Sequence, residues 1–416
     1  MLNILIVTPH YPPDGGPSSP LFAMLAEELV RIGHRVTVIA AVPHYPTGRV
    51  PREFRGLRTK CSTKKGVEIL RVPLPSVNRR NLLLRLLQFF CFQIGMTWAG
   101  LRRKYDVLLT SNPALQVGLP FLVLGPLRRK PAVFSVHDVY PDAGIELGVF
   151  RSPAVIALVT WLEKACLRRA AKVRILSDSF AAPLKRLGVP DEKRELIYDW
   201  VDTELIRPLP KDNAFAREHG LAEKFVLLYA GNIGLSQGLE LVLTTAERLA
   251  SHEDVRFVFV GEGASRDDLI AEAERRRLKN VVFFPFQPRE RLPEVLATAD
   301  ISLVVLKKGI GFRSLPSKSY SILASGRPIV ASIDEGSDSW NLIERCGGGV
   351  CVPPEDPDRL TEAILRLKGD TVLRRELGVQ GREYAERHHS PQAAAVLFER
   401  LLGSLCGSPK EASRGA

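Results

Sequence analysis

The sequence predicts an α/β protein made of two facing Rossmann-like domains with parallel sheets and an interdomain cleft. The chain has 416 residues, of which 45% are hydrophobic, so it is long for one domain and apolar enough for two cores. Short apolar runs alternate with amphipathic helical patterns along the chain, as a doubly wound parallel sheet requires. A polar, Pro-containing segment at 200–224 interrupts this alternation, which then restarts, and we read it as a linker.

The first domain is predicted over residues 1–199, because apolar runs of strand length alternate there with helical patterns. The predicted strands are 2–8, 35–40, 67–72, 106–110, 132–136, 173–177 and 194–198. The predicted helices lie near 19–33, 82–103, 114–128, 153–171 and 178–187. This order places several strand ends at one edge of a sheet.

The second domain is predicted over residues 225–390. Its strands are expected at 225–231, 255–260, 281–284, 300–305, 328–332 and 349–352. Its helices are expected near 237–250, 265–277, 289–298, 317–326, 338–345, 357–368 and 370–388. A last helix at 391–404, within the segment 391–416, could return to the first domain.

Charge is distributed unevenly along the chain. Residues 1–200 hold 29 Lys and Arg against 15 Asp and Glu, a net charge of +14, whereas residues 201–416 hold 29 against 31, a net charge of −2. A basic domain of this kind indicates a polyanionic partner. Lipid headgroups fit better than nucleic acid, because the basic residues stand beside Leu and Phe runs and no nucleic-acid-binding module is recognisable.

The segment 79–104 carries Arg and Lys at both ends of a Leu- and Phe-rich stretch. Its longest run without charge, Leu86 to Leu101, has 16 residues, fewer than the roughly 20 that span a bilayer. It therefore suits a helix lying on an anionic membrane surface. The alternative is a crossover helix buried beneath a sheet. The first strand is not followed by a signal-peptide cleavage site, so we expect a cytoplasmic protein, peripheral on the inner membrane's cytoplasmic face.

Cysteine and histidine spacing predicts neither disulfides nor a metal site. The six cysteines include no Cys-x-x-Cys pair, and no histidine stands at metal-ligand spacing from them, so reduced, mostly buried thiols are expected. Asp356-Pro357-Asp358 is better explained as a helix cap than as a metal-binding pair. We therefore expect no essential metal and no cofactor.

The segment from Ser317 to Ala331 predicts an anion site. It reads as a short helix between two strands, with Lys318 in the first turn, Gly326 at the helix stop and a strand at 329–331. The start of a helix offers unpaired N–H groups, and an ammonium beside them favours a diphosphate. The alternative is that Lys318 only extends its charge to solvent.

Several short motifs follow one another in a recognisable order, and together they resemble glycosyltransferase family 4, whose retaining enzymes have the GT-B fold. The resemblance covers roughly residues 1–400 and is nearest to bacterial surface-polysaccharide transferases. The motifs are Pro9-His10-Tyr11-Pro12-Pro13-Asp14-Gly15-Gly16, His137-Asp138-Val139-Tyr140-Pro141-Asp142, Val201-Asp202-Thr203, Gly231-Asn232-Ile233-Gly234, Val260-Gly261-Glu262-Gly263 and Pro316-Ser317-Lys318.

In the first domain, the resemblance implies two functional positions. Gly15 and Gly16 would let backbone N–H groups approach the donor diphosphate; the alternative is a flexible turn before a helix. His137 follows a predicted strand and would contact the donor sugar and the reaction centre. Asp138 and Asp142 are acceptor-side candidates, and Asp138 could alternatively serve the turn.

In the second domain, the chain departs from the family pattern. Asn232 and Gln237 stand where a basic pair grips the diphosphate, so the leaving-group charge must be met elsewhere. Lys318, with Arg313 upstream, is the candidate. Further donor-binding residues are expected at Gly261, Gly263, Phe286, Ser317 and Ser321. Arg313 and Ser321 replace two glutamates that hold donor hydroxyls in most of the family, which puts that sugar subsite in doubt.

The resemblance implies retaining transfer of a hexose-type sugar from a UDP- or GDP-sugar to a polyprenyl-diphosphate-linked glycan in bacterial surface polysaccharide synthesis. A nucleotide-sugar 2-epimerase shares the architecture but needs no acceptor and no basic, Leu- and Phe-rich half. A NAD-dependent dehydrogenase would need Gly-x-Gly-x-x-Gly after the first strand, where this chain has a Pro-rich loop. A catalytically inactive membrane-surface scaffold of the same fold is the non-enzymatic alternative.

Overall fold

The computed structural model describes residues 1–416 except 17, 46, 57, 76, 78–81, 147–151, 313–315 and 408–416. Arg313, predicted for the donor site, therefore lies outside the described residues. The chain divides into two compact units: residues 1–199 together with the chain from Ala394 onward, and Trp200–Ala393. Each unit is built around one mostly parallel sheet.

The first unit contains an eight-stranded sheet with helices in the crossovers. Its strands are β1 Asn3–Thr8, β2 Arg35–Ala41, β3 Lys60–Lys64, β4 Val67–Val72, β5 Val107–Ser111, β6 Ala132–Val136, β7 Lys172–Ile175 and β8 Arg194–Leu196. Its helices are α1 Ser19–Arg31, α2 Leu82–Leu101, α3 Ala114–Arg128, α4 Asp142–Glu146, α5 Pro153–Arg169 and α6 Ala181–Arg186. The strand order is β3-β4-β2-β1-β5-β6-β7-β8, and only the β3–β4 pair is antiparallel.

The second unit contains a six-stranded parallel sheet in the order β11-β10-β9-β12-β13-β14. Its strands are β9 Phe225–Ala230, β10 Val255–Val260, β11 Val281–Phe284, β12 Ile301–Val305, β13 Ile329–Ser332 and β14 Gly349–Val352. Its helices are α7 Ala214–Glu218, α8 Glu240–Arg248, α9 Arg266–Arg275, α10 Leu292–Ala297, α11 Lys318–Ala324, α12 Asp338–Cys346, α13 Pro357–Gly369 and α14 Thr371–His388. The last helix, α15 Pro391–Leu405, begins in the second unit and from Ala394 belongs to the first.

The prediction of two Rossmann-like parallel sheets is confirmed, because the apolar runs follow the rule for strands that are buried on both faces. Every residue of β5, β6 and β12 is buried. Helices cover both sides of the second sheet, where two apolar clusters form, one around Leu323 and Ile343 and the other around Leu243 and Ile364.

The sequence prediction missed one strand, β3. All five of its residues, Lys60 to Lys64, are exposed, so the strand has no apolar pattern. It pairs antiparallel at the edge of the sheet, where lysines discourage pairing with another chain. Backbone pairing, and not side-chain burial, therefore defines this element.

Three further observations bear on the expectations from sequence. All six cysteines are free thiols, but two of them, Cys166 and Cys346, are buried, three are half-buried and Cys61 is exposed, so the expectation of mostly buried thiols is wrong. The helix expected at 317–326 is shorter and spans Lys318–Ala324. Among the described residues, no helix combines the length and the apolar composition that crossing a bilayer would require.

Candidate functional sites at the carboxyl edges of the two sheets

Both sheets have a topological switch point, which is the position where crossovers from neighbouring strands run in opposite directions along the sheet. In the first sheet this point lies between β1 and β5, and in the second it lies between β9 and β12. Ligands of open α/β sheets bind outside the carboxyl ends of the strands at such points. The predicted site residues are therefore described edge by edge.

In the first unit, Asn112 holds His137 in place. Asn112 follows β5, and its Oδ1 atom accepts a hydrogen bond of 2.8 Å from the His137 backbone N–H. Its Nδ2 atom donates to the carbonyl oxygen of Asp138. One buried amide thus ties the ends of β5 and β6 together and fixes the backbone on both sides of the predicted catalytic histidine.

A buried polar chain lies behind the His137 ring. The His137 Nε2 atom is 3.5 Å from the Ser135 hydroxyl, to which Arg174 donates a hydrogen bond of 3.2 Å. Arg174 is fully buried and pairs with Asp199 at 2.7 Å. Burial lowers the pKa of His137 to about 4, with Asp199 raising it and Arg174 lowering it. His137 is therefore a neutral imidazole near pH 7 and takes part as a hydrogen-bonding group rather than as a cation.

The other first-unit candidates have distinct surroundings. Asp138 and Asp142 are exposed residues, although partial burial of the Asp138 carboxyl, with Asp199 nearby, raises its pKa. A Cβ atom added at Gly15 would meet nothing within 4 Å, whereas one at Gly16 would lie 2.2 Å from the His10 ring. Gly16 is thus needed for packing against His10, a contact that the sequence did not predict.

In the second unit, Lys318 reaches back from α11 to the carboxyl end of β9. Its Nζ atom lies 3.7 Å from the centre of the Tyr229 ring, a cation–π distance, and a Cβ atom at Gly231 would lie 3.0 Å from it. The Nζ atom is buried and makes no hydrogen bond to the described residues. This burial lowers the pKa of Lys318 to about 7.

The side chains of Asn232 and Gln237, the two amides predicted to lie beside the diphosphate, both lie close to Gly234. The Gln237 Oε1 atom accepts a hydrogen bond of 3.0 Å from the Gly234 N–H. A Cβ atom at Gly234 would lie 2.6 Å from the Asn232 Nδ2 atom and 2.9 Å from the Gln237 Oε1 atom. The amides therefore shape the loop after β9, and neither supplies a positive charge there.

Gly261 and Gly263 permit a close approach between two backbone segments. A Cβ atom at Gly261 would lie 1.9 Å from the Gly231 carbonyl oxygen, and one at Gly263 would lie 2.2 Å from that of Ile233. Both glycines also have positive φ angles, +156° and +157°, which favour glycine. Their first role is thus to hold the loop after β9 against the loop after β10.

Sequence reasoning missed Lys307 and Asp334 at this edge. Lys307 lies two residues after the end of β12, and a Cβ atom at Gly238 would lie 2.9 Å from its Cγ atom. The Asp334 carboxylate, which follows β13, accepts hydrogen bonds from the Gly309 and Gly311 N–H groups at 2.8 and 3.0 Å. The position of Lys307 at a strand end could have indicated it, whereas the Asp334 contacts are non-local.

The remaining donor-site candidates differ in their exposure to solvent. Phe286 follows β11 and is 56% exposed. Ser317 is exposed next to Lys318, and Ser321 is half-buried one turn further along α11. The structure thus brings Lys318 together with Gly231, and Asn232 with Gln237.

The chain matches two protein families and is similar to known proteins along most of its length. Residues 18–200 match the family "Glycosyl transferase 4-like domain", and residues 211–384 match "Glycosyl transferases group 1". The Escherichia coli protein WcaI, named as a glycosyl transferase of colanic acid biosynthesis, is 30% identical over 400 residues, which are 93% of this chain and 96% of WcaI.

Two solved structures share the fold over almost the whole chain. One is sucrose-phosphate synthase from Thermosynechococcus elongatus, with a TM-score of 0.71, 19% identity, and coverage of 98% of this chain and 100% of that one. The other is Anabaena HepE in complex with UDP-glucose, with a TM-score of 0.68, 15% identity, and coverage of 97% and 100%. At these identities the likeness shows the fold alone.

Proposed function

The chain belongs to glycosyltransferase family 4 and has the Rossmann-like domains of the GT-B fold, and on that premise we propose that it is a retaining hexosyltransferase. The donor is a UDP- or GDP-sugar, and the acceptor is a polyprenyl-diphosphate-linked glycan. The product contributes to a bacterial surface polysaccharide, and the enzyme works at the cytoplasmic face of the inner membrane.

The observation that carries this proposal is the buried ammonium of Lys318, which contacts the Tyr229 ring but has no hydrogen-bond partner among the described residues. A buried charge without a partner is costly, and Gly231 leaves the space beside it free of a side chain. A diphosphate bound at the β9–β12 switch point would give Lys318 its missing partner. Charge-assisted hydrogen bonds to a phosphate are stronger than those between neutral groups, so the contact also favours departure of the nucleoside diphosphate.

The comparisons support the donor class and the pathway. HepE was solved with UDP-glucose, and WcaI is named for colanic acid biosynthesis. A nucleotide sugar and a polysaccharide product are therefore the first substrates to test. A panel of UDP- and GDP-sugars would identify the nucleotide base and the transferred sugar.

In the proposed reaction, His137 acts as a neutral group beside the transferred sugar. Its low pKa keeps the ring uncharged near pH 7, and Asn112 fixes its backbone. A neutral imidazole can donate to or accept from a sugar hydroxyl without competing with the diphosphate for Lys318. Stabilisation of the leaving group by preorganised donors then lowers the barrier without a metal ion.

A lipid-linked acceptor is supported by the exposed apolar surfaces of α2 and α5. On α2, five large apolar side chains recur along one side and stay 40–59% exposed: Leu84, Leu87, Phe90, Ile94 and Trp98. The opposite side, with Phe92 and Met96, is buried. On α5, Leu158 and Trp161 are more than half exposed, and Arg168 and Arg169 follow. Exposed apolar rows ending in basic residues suit an anionic membrane surface.

The test is transfer by purified protein across UDP- and GDP-sugars, with detergent-solubilised polyprenyl-diphosphate-sugar acceptors. We expect one donor to turn over only when lipid acceptor is present, with activity retained in EDTA. The anomeric configuration of the product, read by NMR, checks retention. Lys318→Met should abolish most of this activity, whereas Lys279→Met removes an exposed lysine of the same unit and should not.

Three outcomes would contradict parts of the proposal. Isomerisation of a free nucleotide sugar without acceptor would make the protein an epimerase. Tight nucleotide binding without turnover would favour an inactive scaffold. Full activity of Lys318→Met would refute the account of how the diphosphate charge is met.

A further inference from the structure

Three buried residues at the carboxyl ends of β1 and β2 form a cluster that the proposed mechanism does not use. They are His10, Asp14 and His44. The His10 Nδ1 atom is 3.1 Å from Asp14 Oδ1, and the His44 Nδ1 atom is 3.2 Å from Asp14 Oδ2. The two imidazole rings stack with centres 5.1 Å apart and an angle of 22° between their planes.

The Asp14 carboxylate is the centre of this cluster, and its side chain is fully buried. Oδ1 accepts the Gly16 N–H at 3.0 Å, and Oδ2 accepts the His44 N–H at 2.8 Å and the Tyr45 N–H at 3.3 Å. Burial raises the pKa of Asp14, but the hydrogen bonds from His10 and His44 outweigh it and hold the pKa far below its usual range. Asp14 is therefore an ionised carboxylate that accepts hydrogen bonds only.

This arrangement assigns the tautomer of both rings. The His10 Nδ1 atom faces a carboxylate oxygen, and the His44 Nδ1 atom faces a carboxylate oxygen and the Val42 carbonyl oxygen at 3.0 Å. All of these are acceptors, so we assign a proton to each Nδ1 atom, which leaves Nε2 as the ring nitrogen that can meet a ligand. Because the rings are stacked and share one carboxylate, both Nε2 atoms lie on the side away from Asp14.

The two Nε2 atoms have no hydrogen-bond partner among the described residues and lie on side chains with limited solvent access. Within the described part of the chain, neither accepts a hydrogen bond, and neither is among the buried side-chain atoms that lack a partner. The side chains of His10 and His44 keep 9% and 5% of their surface exposed. Beside them stands the Tyr45 ring, 39% exposed and 5.5 Å from the His10 ring in an edge contact.

The charge of Asp14 is already balanced without a metal ion. Arg71 is buried and lies within electrostatic reach of Asp14. Its Nη1 atom donates to the Tyr11 and Ala41 carbonyl oxygens at 2.9 and 3.2 Å. A divalent cation at the cluster would have to displace both Nδ1 protons and add charge near a buried guanidinium, so the protonated arrangement is favoured.

We propose that His10 and His44, oriented by Asp14, keep their Nε2 atoms unprotonated and bind two hydroxyl groups of a sugar through these atoms. Two lone pairs beside an aromatic ring accept O–H donors and offer nothing to a phosphate, whose oxygens are also acceptors. The ligand is therefore a polyol, and its identification as a sugar rests on the proposed function. Two molecules of the proposed reaction carry such sugar hydroxyl groups: the acceptor glycan and the nucleotide-sugar donor.

The first test reads the tautomers directly. In ¹⁵N-histidine-labelled protein, long-range ¹H–¹⁵N spectra distinguish a protonated from an unprotonated ring nitrogen, and His10→Gln and His44→Gln assign the signals among the eight histidines. We expect unprotonated Nε2 atoms in both rings at pH 7.5. The Nε2 signals should shift on addition of the methyl glycosides of glucose, galactose, mannose or N-acetylglucosamine, and should stay in place with inorganic phosphate.

The second test separates the sources by kinetics, with detergent-solubilised polyprenyl-diphosphate-sugar as acceptor. His10→Gln and His44→Gln should each raise the acceptor KM at least tenfold and leave the donor KM within twofold; a rise in the donor KM instead would support the donor sugar as the source. Asp14 positions the two imidazole rings, so Asp14→Asn should shift their Nε2 signals and also raise the acceptor KM. His34→Gln is the control, because His34 is a buried imidazole at another position, where its Nδ1 atom accepts the Leu2 N–H.

Three results would overturn the inference. They are a protonated Nε2 atom in both rings, Nε2 signals that respond to stoichiometric Zn²⁺ and revert with EDTA, and the absence of any glycoside-induced shift. The spectra need no turnover, so they stand if transferase activity fails. Conversely, transfer with unchanged KM values in both histidine variants would refute the inference and leave the proposed function intact.

Discussion

Replacing Lys318 by Met is the perturbation for which the structure gives the clearest magnitude. The pKa of about 7, against 10.5 for an ordinary lysine, means that folding disfavours the charged form by up to about 5 kcal/mol. Met keeps the length of the side chain and removes the charge. The variant therefore changes electrostatics at the Tyr229 ring with little change in packing.

The effect on stability depends on pH in a defined direction. The folded-state pKa is lower than the unfolded-state value, so between pH 7 and 10.5 the unfolded chain binds more protons than the folded one. The free energy of unfolding then rises with pH in this window, by up to about 1.4 kcal/mol per pH unit from this group. Lys318→Met should be more stable than the wild type at pH 6, and the difference should shrink towards zero near pH 10.

The effect on nucleotide binding has the opposite sign. A diphosphate stabilises the charged lysine, so binding takes up a proton when the free enzyme is above pH 7. The affinity of the wild type should fall about tenfold per pH unit from pH 7.5 to 9.5, where the phosphates are already ionised. Lys318→Met should lose about 2 kcal/mol of binding at pH 7, roughly 30-fold, and should show no such slope.

The assays are thermal unfolding at pH 6, 7.5 and 9, and calorimetric titration with UDP and GDP over the same range. Lys279→Met serves as the control for loss of one positive charge. Parallel stability profiles for wild type and Lys318→Met, or an equal pH slope in their nucleotide affinities, would refute the assignment of a buried, titrating ammonium at this position.

Three further predictions follow from contacts in the two units. Asn112→Ala removes both hydrogen bonds around His137 and should lower the free energy of unfolding by about 2 kcal/mol and reduce transfer, as denaturant titration and kinetics would show. Gly261→Ala should lower the melting temperature strongly because the new methyl group would lie 1.9 Å from a carbonyl oxygen. Gly15→Ala is the control: its methyl group would meet no atom within 4 Å, so this variant should melt like the wild type. Trp98 and Trp161 are 58% and 59% exposed, and replacing both by Ser should reduce flotation with anionic phosphatidylglycerol vesicles without changing the melting temperature. Unchanged flotation would contradict a membrane role for this surface.

The periodicity of apolar residues was sufficient to predict both sheets, because strands buried on both faces must be apolar throughout. The sequence also indicated Lys318, since a lysine at the start of a helix between two strands is a local pattern. It could not indicate β3, whose exposed residues carry no such pattern.

Only the tertiary structure decided which polar residues surround these positions. Asn112 contacts His137 across 25 residues, and Arg174 contacts Ser135 across 39. The Asp14 cluster likewise joins His44 across 30 residues. Local sequence encodes burial and secondary structure through spacing, whereas a hydrogen bond between strand ends depends on which strands become neighbours. That choice is made by the packing of the whole sheet, and it sets the charge and the tautomer of the side chains at its edge.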